Sequence, residues 1–342
     1  MSQADPPGLA LERLRAHLDE HRPGLVTGPL RAEVVQGGKS NLTYIVDDGS
    51  GKWVVRRPPL GHVLPTAHDM AREFRVISGL HDTRVPVPEA LLLCQDTDVI
   101  GAPFYLMEFV EGTPYRTADE LLPLGEQRTA ALADSLVDTL VELHAVDPAT
   151  VGLGDFGRPD GFLERQMRRW KKQLDSSRSR DLPGIDELHD TLAAAVPVSP
   201  APTIIHGDYR LDNVLVDSAD RITAVLDWEM STLGDPLTDL ALMVAYAERS
   251  GVDLNFVSSA TTAPGYPSSD QVVARYAERS GRDVSALDWY VGFAFFKLAV
   301  ILEGIYYRFS KGQTVGAGFE GVGPGVALLV AHGNKILNEE KK

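Results

Sequence analysis

The feature that most narrows the possible folds lies in residues 204–229. An apolar pair, Ile204-Ile205, opens directly into His206-Gly207-Asp208-Tyr209-Arg210-Leu211-Asp212-Asn213, and Val214-Leu215-Val216 follows at once. A further apolar run, Ile222 to Leu226, ends at Asp227-Trp228-Glu229. Short apolar runs bounded by polar turn residues read as strands. The last two fit a hairpin that places Asn213, just before it, beside Asp227, just after it. An Asp ahead of such a hairpin can orient an attacking hydroxyl and accept its proton. An Asn and a second Asp across it offer oxygen ligands to magnesium held against phosphate. The plainer alternative is that all three are turn and cap formers.

An Asp, then an Asn, then a second Asp at the next strand-turn is the order found in kinase catalytic loops. HGDYRLDN followed by DWE resembles the aminoglycoside phosphotransferase and choline kinase branch of the protein-kinase-like fold, and the resemblance covers nearly the whole chain. It implies Asp208 as catalytic base, Asn213 and Asp227 as magnesium ligands, and ATP, or else GTP, as phosphoryl donor. His206 would support the loop backbone. Asp235 and Asp239 flank Pro236-Leu237-Thr238 and read as caps of a helix that starts there.

The rest of the chain agrees with a two-lobe α+β architecture. Residues 9–20 carry apolar positions at helical spacing. Strand-like segments follow near 33–35, 42–46 and 53–56, with Asp48-Gly49-Ser50-Gly51 as a turn. Residues 66–80 read as a helix with Thr66 as N-cap and Asp69 completing an imperfect capping box. A strand pair at 90–94 and 104–110 precedes Glu111-Gly112. Beyond it the pattern is helical, apart from two strands within 203–227. The predicted division is an antiparallel, nucleotide-binding N-terminal lobe at 1–111 and a mainly helical catalytic and acceptor-binding lobe at 112–342.

Within the first lobe, Gln36-Gly37-Gly38-Lys39-Ser40-Asn41 fits a turn whose backbone N–H groups face phosphate oxygens. Gly37, Gly38, Ser40 and Asn41 are the candidate contacts. Arg56 falls where the fold's strand lysine would be, and Glu73 on the helix that supplies its partner. Arginine keeps the charge but has a planar fork in place of a point charge. Arg57 would point to the opposite face of the strand. Pro103 to Gly112 resembles the strand-to-hinge segment, with Met107 lining an adenine pocket and backbone groups near Glu108 and Val110 bonding the base.

The acceptor is read from charge. Overall, 48 acidic residues against 33 basic ones give a formal charge of -15, which argues against a nucleic-acid partner. Yet Arg165, Arg168, Arg169, Lys171 and Lys172 crowd one helix, a solvated face or else a site for an anionic acceptor. RRPPLGHVLPTAHDMAREFRV and FLERQMRRWKKQ look like the kinase-like domain fused to acyl-CoA dehydrogenases in some animal proteins. That subgroup implies phosphorylation of a hydroxy acid or hydroxyacyl-CoA. Aminoglycoside phosphorylation and a nucleotide-binding pseudokinase stay open as alternatives. Cys94 is the sole cysteine, so no intrachain disulfide forms and a reducing cytoplasm is the expected compartment. The apolar stretch Phe293 to Tyr307 is broken by Lys297 and Glu303, so a buried helix is expected there and no membrane partner. Oligomeric state is not legible.

Overall fold

The computed structural model describes residues 5–35, 41–61, 68–248, 258–313 and 321–339. The chain forms two compact units. The first holds residues up to 113 together with 215–218 and 223–231; the second holds the remainder. The sequence placed the division at 111 and carried 112–342 into one lobe. The later strand segments instead pack with the first unit.

The first unit is built on a five-stranded antiparallel sheet. It begins with α1 (Leu11–His21), whose Leu14 and Leu18, one turn apart, face inward. Strands β1 (Arg31–Val34), β2 (Leu42–Asp47) and β3 (Lys52–Arg57) follow, then α2 (Met70–Leu80), β4 (Ala90–Cys94), the short α3 (Thr97–Ile100) and β5 (Phe104–Glu108). The sheet order is β1-β2-β3-β5-β4. Alternation puts Tyr44, Val46, Trp53, Val55, Phe104 and Leu106 into one apolar core with Leu14 and Leu18. The same alternation sends the two arginines of β3 opposite ways. Arg57 turns into the core side, where its guanidinium donates to the carbonyls of Gly8 and Ile100. Helix α2 starts later than its pattern predicts. Asp69 is itself the N-cap, accepting from the Arg72 N–H at 3.0 Å, and Thr66 lies outside the described residues. Glu73 stands among the inward residues Met70, Val76, Ile77 and Leu80, and a buried carboxylate there requires partners.

In the second unit the short α4 (Ala118–Leu121) leads to α5 (Gly125–Ala145), α6 (Phe162–Ser177) and α7 (Ile185–Ala194). Along the chain there follow β6 (Thr203–Ile205), β7 (Val214–Val216), β8 (Ile222–Val225) and β9 (Thr232–Gly234), forming the pairs β6-β9 and β7-β8, of which β7 and β8 fall mostly in the first unit. The sequence pattern showed two of these four strands as a hairpin and missed β9. Helices α8 (Leu237–Glu248), α9 (Ser269–Ser280), α10 (Leu287–Ser310) and α11 (Val322–Glu339) complete the unit. By length and composition α10 is apolar enough to cross a membrane, despite Lys297 and Glu303. Most of it is nevertheless buried, because α6, α7, α8 and α11 pack around it.

Candidate functional site

In the first unit one guanidinium joins two carboxylates, and an asparagine amide brings a third beside them. Arg56 pairs with Glu73 at 2.9 Å and also reaches Oδ1 of Asp227. Tyr105, opposite Arg56 in the β3–β5 register, donates its hydroxyl to Glu73 at 3.0 Å. Asn41 donates its side-chain amide to Glu73 at 2.9 Å and to Glu229 at 3.2 Å, while its carbonyl oxygen meets His68 Nδ1 at 2.8 Å. Asn41, expected to touch phosphate, therefore spends its side chain on organising carboxylates. Burial pushes the Glu73 carboxyl up to about 7; Arg56 opposes the rise, and repulsion from Asp227 adds to it. Burial works against the Arg56 charge, but Tyr105, Glu73, Asp227 and Glu229 outweigh it and hold the guanidinium firmly protonated. Asp227 presents its carboxylate from a left-handed backbone, φ 65°, a region that costs an L-residue about 1–2 kcal/mol.

The second unit holds the Asp208 loop. Gly207 takes φ 85°, which a glycine adopts without steric cost. Its N–H and that of His206 each donate to Asp239 at 2.7 Å. Asp239 therefore anchors the loop, whereas the sequence suggested a helix cap. That role falls to Asp235, which accepts from the Leu237 N–H at 3.0 Å. His206, fully buried, accepts the Asp208 N–H through Nδ1 at 3.2 Å. Asp208 Oδ1 accepts from Tyr246 at 3.0 Å, and Oδ2 accepts from Asn213 Nδ2 at 3.2 Å. Asn213 also caps the Asp208 carbonyl at 2.8 Å. Arg210 lies 3.4 Å from Asp208 and 3.2 Å from Asp212. A pocket lined by Leu136, Arg210, Met243, Tyr246, Ala260 and Tyr266 adjoins this side of the loop.

Tyr246 gives a direct test of this geometry. Removing its hydroxyl with Tyr246→Phe takes one donor from Asp208, and hydrogen bonds to charged groups are worth about 1.5–3 kcal/mol. A fall in kcat of about 10–100-fold is expected, with nucleotide KM little changed. Steady-state kinetics at saturating acceptor check it, and an unaltered kcat rejects the positioning role.

The anchor predicts acid sensitivity. His144 is buried between Tyr276, 2.8 Å from Nδ1, and Asp239, 3.3 Å from Nε2. Burial holds its pKa below the ordinary 6.5, although Asp239 pulls it up. The unfolded chain thus binds this proton more readily than the native one. Stability from this group is complete above about pH 6.5 and is lost as pH falls below it. Thermal melting should therefore decline on acidification below pH 6.5, and His144→Gln should flatten part of the decline.

Not every predicted residue joins a site. Gly37, Gly38 and Ser40 lie outside the described residues. Met107 is buried in β5 and Glu108 is exposed at its end, with its N–H donated to the Glu89 carbonyl at 2.9 Å. Val110 follows just beyond the strand. Arg165, expected to face an acceptor, ties down the preceding loop through the carbonyls of Asp160 and Arg158. Lys171 pairs with Asp175 at 2.5 Å. Arg168 and Arg169 remain exposed on α6, and the Arg169 guanidinium lies 5.6 Å from the Trp170 ring. Tyr105, Tyr246, Arg210 and Lys297 were not foreseen as parts of these sites. Arg210 carried a local signal, being inside the motif, and Lys297 carried one as a charge within an apolar run.

Among the described residues no group of three or more His, Cys, Asp or Glu side chains is arranged to hold a metal. A magnesium ion that rides on phosphates needs only one or two protein ligands. The donor chemistry fits it. In the second unit Asn213 uses its amide nitrogen on Asp208 and its carbonyl oxygen is an oxygen donor of the kind magnesium takes; in the first unit the Asp227 carboxylate is another.

The five-stranded sheet, the helical unit and the HGD loop define a phosphotransferase of kinase-like fold. Residues 31–283 match the model of the phosphotransferase enzyme family, and the chain belongs to that family. A crystal structure from Ralstonia eutropha, provisionally assigned as an aminoglycoside phosphotransferase, superposes with a TM-score of 0.85 at 32% identity, covering 96% of this chain and 98% of that one. Choline kinase from Cryptosporidium parvum shares the fold at TM-score 0.64 and 14% identity, over 96% of each chain. Acyl-CoA dehydrogenase family member 11 of Rattus norvegicus is 35% identical over 313 residues, 89% of this chain and 40% of that protein. The chain thus spans about two fifths of that relative's length.

Proposed function

We propose that this phosphotransferase uses ATP and magnesium to phosphorylate the hydroxyl of a small anionic acceptor, a hydroxy acid or a hydroxyacyl-CoA. The observation that carries the reading is the Asp208 carboxylate, fixed at both oxygens by Tyr246 and Asn213 on a loop anchored by Asp239. A carboxylate held in that way can orient a hydroxyl and take its proton. The acceptor oxygen bonds to the γ-phosphorus as the bond to the β-phosphate oxygen breaks, ADP leaves, and the proton passes to Asp208. Magnesium, when bound, neutralises phosphate charge. The Asn213 carbonyl oxygen and the Asp227 carboxylate would hold it. Arg56 steadies the phosphates, and Met107, Glu108 and Val110 receive the adenine.

The acceptor class is supported by the exposed Arg168 and Arg169, and by the acyl-CoA dehydrogenase name of the rat relative. The test is ADP release with magnesium and ATP across hydroxy acids, hydroxyacyl-CoA thioesters, aminoglycosides and choline-like alcohols. Turnover of a hydroxy acid or its thioester supports the reading. Turnover of an aminoglycoside alone overturns the acceptor class, and no turnover of any alcohol overturns the kinase reading.

A further inference from the structure

Lys297 sits midway along α10, between Phe296 and Leu298 in the most apolar helix of the second unit. A lysine in such surroundings calls for a reason, because long charged side chains are rarely taken into packed helices without a partner. Its ammonium has three donors. One goes to the carbonyl of Gly207 at 3.2 Å, the residue immediately before Asp208. The Trp170 ring lies 5.8 Å away. Among the described residues the ammonium makes no other hydrogen bond. Burial lowers its pKa; Asp208 and Asp239 are near enough to offset part of that, and Arg169 is near enough to add to it. One helix thus brings a cation to the edge of the Asp208 loop, and α6 brings a second.

The geometry points to Lys297 as the anion-binding residue of the acceptor site. Its uncommitted N–H donors grip the carboxylate of a hydroxy acid whose hydroxyl lies against Asp208, and Arg169 adds positive charge at the rim. This rests on the function proposed above and specifies which residue reads the acid. It also explains why the ammonium is tied to Gly207: the bond fixes the distance between the charge that holds the acid and the base that serves the hydroxyl. A lysine with only a packing role would need no second cation beside it.

The probes are 3-hydroxybutyrate and butane-1,3-diol, which share the secondary hydroxyl and differ in the carboxylate. For wild type, KM for the acid should lie below that for the diol. In Lys297→Met that preference should shrink by about 10–100-fold, the range for a hydrogen bond to a charged group. Lys297→Gln, which can still donate to Gly207 but carries no charge, should lose it too, and Lys297→Arg should recover part. A preference kept in both neutral variants, or absent from wild type, overturns the inference. Calorimetric titration of 3-hydroxybutyrate in the presence of nucleotide separates this from the function itself. Binding to wild type but not to Lys297→Gln supports the anion site even where no phosphate is transferred. Equal binding, or none to wild type, overturns it.

Discussion

Asp208→Asn is expected to lower kcat by about 10²–10⁴-fold, the usual worth of a positioned general base, while leaving the fold intact. The replacement has the same size, and its carbonyl oxygen can still accept from Tyr246. What it loses is the ability to take a proton and to accept from the Asn213 amide. Nucleotide KM should therefore move little, and melting temperature hardly at all. ADP release on the best acceptor, measured beside a melting curve, checks both halves. A variant within about tenfold of wild type would place the proton acceptor elsewhere.

Arg56→Ala should cost both activity and stability. Glu73 is 1% exposed and has Asp227 and Glu229 as neighbours through Arg56 and Asn41. Without the guanidinium it becomes a buried carboxylate among like charges. Breaking a buried pair from one side typically costs about 3–5 kcal/mol. Nucleotide KM should rise in parallel, since Arg56 is the cation assigned to the phosphates. Arg56→Lys keeps the charge but not the fork that spans Glu73 and Asp227, so partial recovery is expected. The double variant Arg56→Met/Glu73→Gln separates the two effects: it should regain much of the stability and none of the nucleotide affinity. Denaturant unfolding and nucleotide titration read them independently. A single alanine variant that loses less than about 1 kcal/mol would show that the pair contributes little to the fold.

The sequence disclosed what local pattern can encode. The strand–loop–strand run at 204–216 was legible because each element announces itself within a few residues. The opposite facing of Arg56 and Arg57 followed from strand alternation alone. Other features depend on chain brought from far away. Nothing around Tyr246 marks it as a neighbour of Asp208, since it looks like an ordinary member of an apolar helix; Lys297 stood out as a charge in an apolar run, but nothing local says that it faces the Asp208 loop. Asp239 was visible only as a helix-start residue, and its use by the N–H groups of His206 and Gly207 is a tertiary fact. Arg165 misled for the complementary reason. A basic helix shows its charges in sequence but not which of them nearby carbonyls will claim. Asn41 misled likewise, because a polar residue after a glycine turn gives no hint of the carboxylates that α2 and the DWE segment bring to it.

The left-handed backbone at Asp227 has a consequence for descent. Glycine would adopt that conformation without the penalty an aspartate carries, so the position is one where the fold and the chemistry favour different residues. On the magnesium role proposed for Asp227, selection for phosphoryl transfer would keep the carboxylate there against the preference of the backbone. In a lineage relieved of the reaction, that opposition ends. Substitution to glycine or asparagine at position 227 should be among the early changes, ahead of losses in the Asp239 anchor, which the fold itself still needs. A homologue with position 227 changed and the anchor retained would then be recognisable as a folded protein that has left the trade.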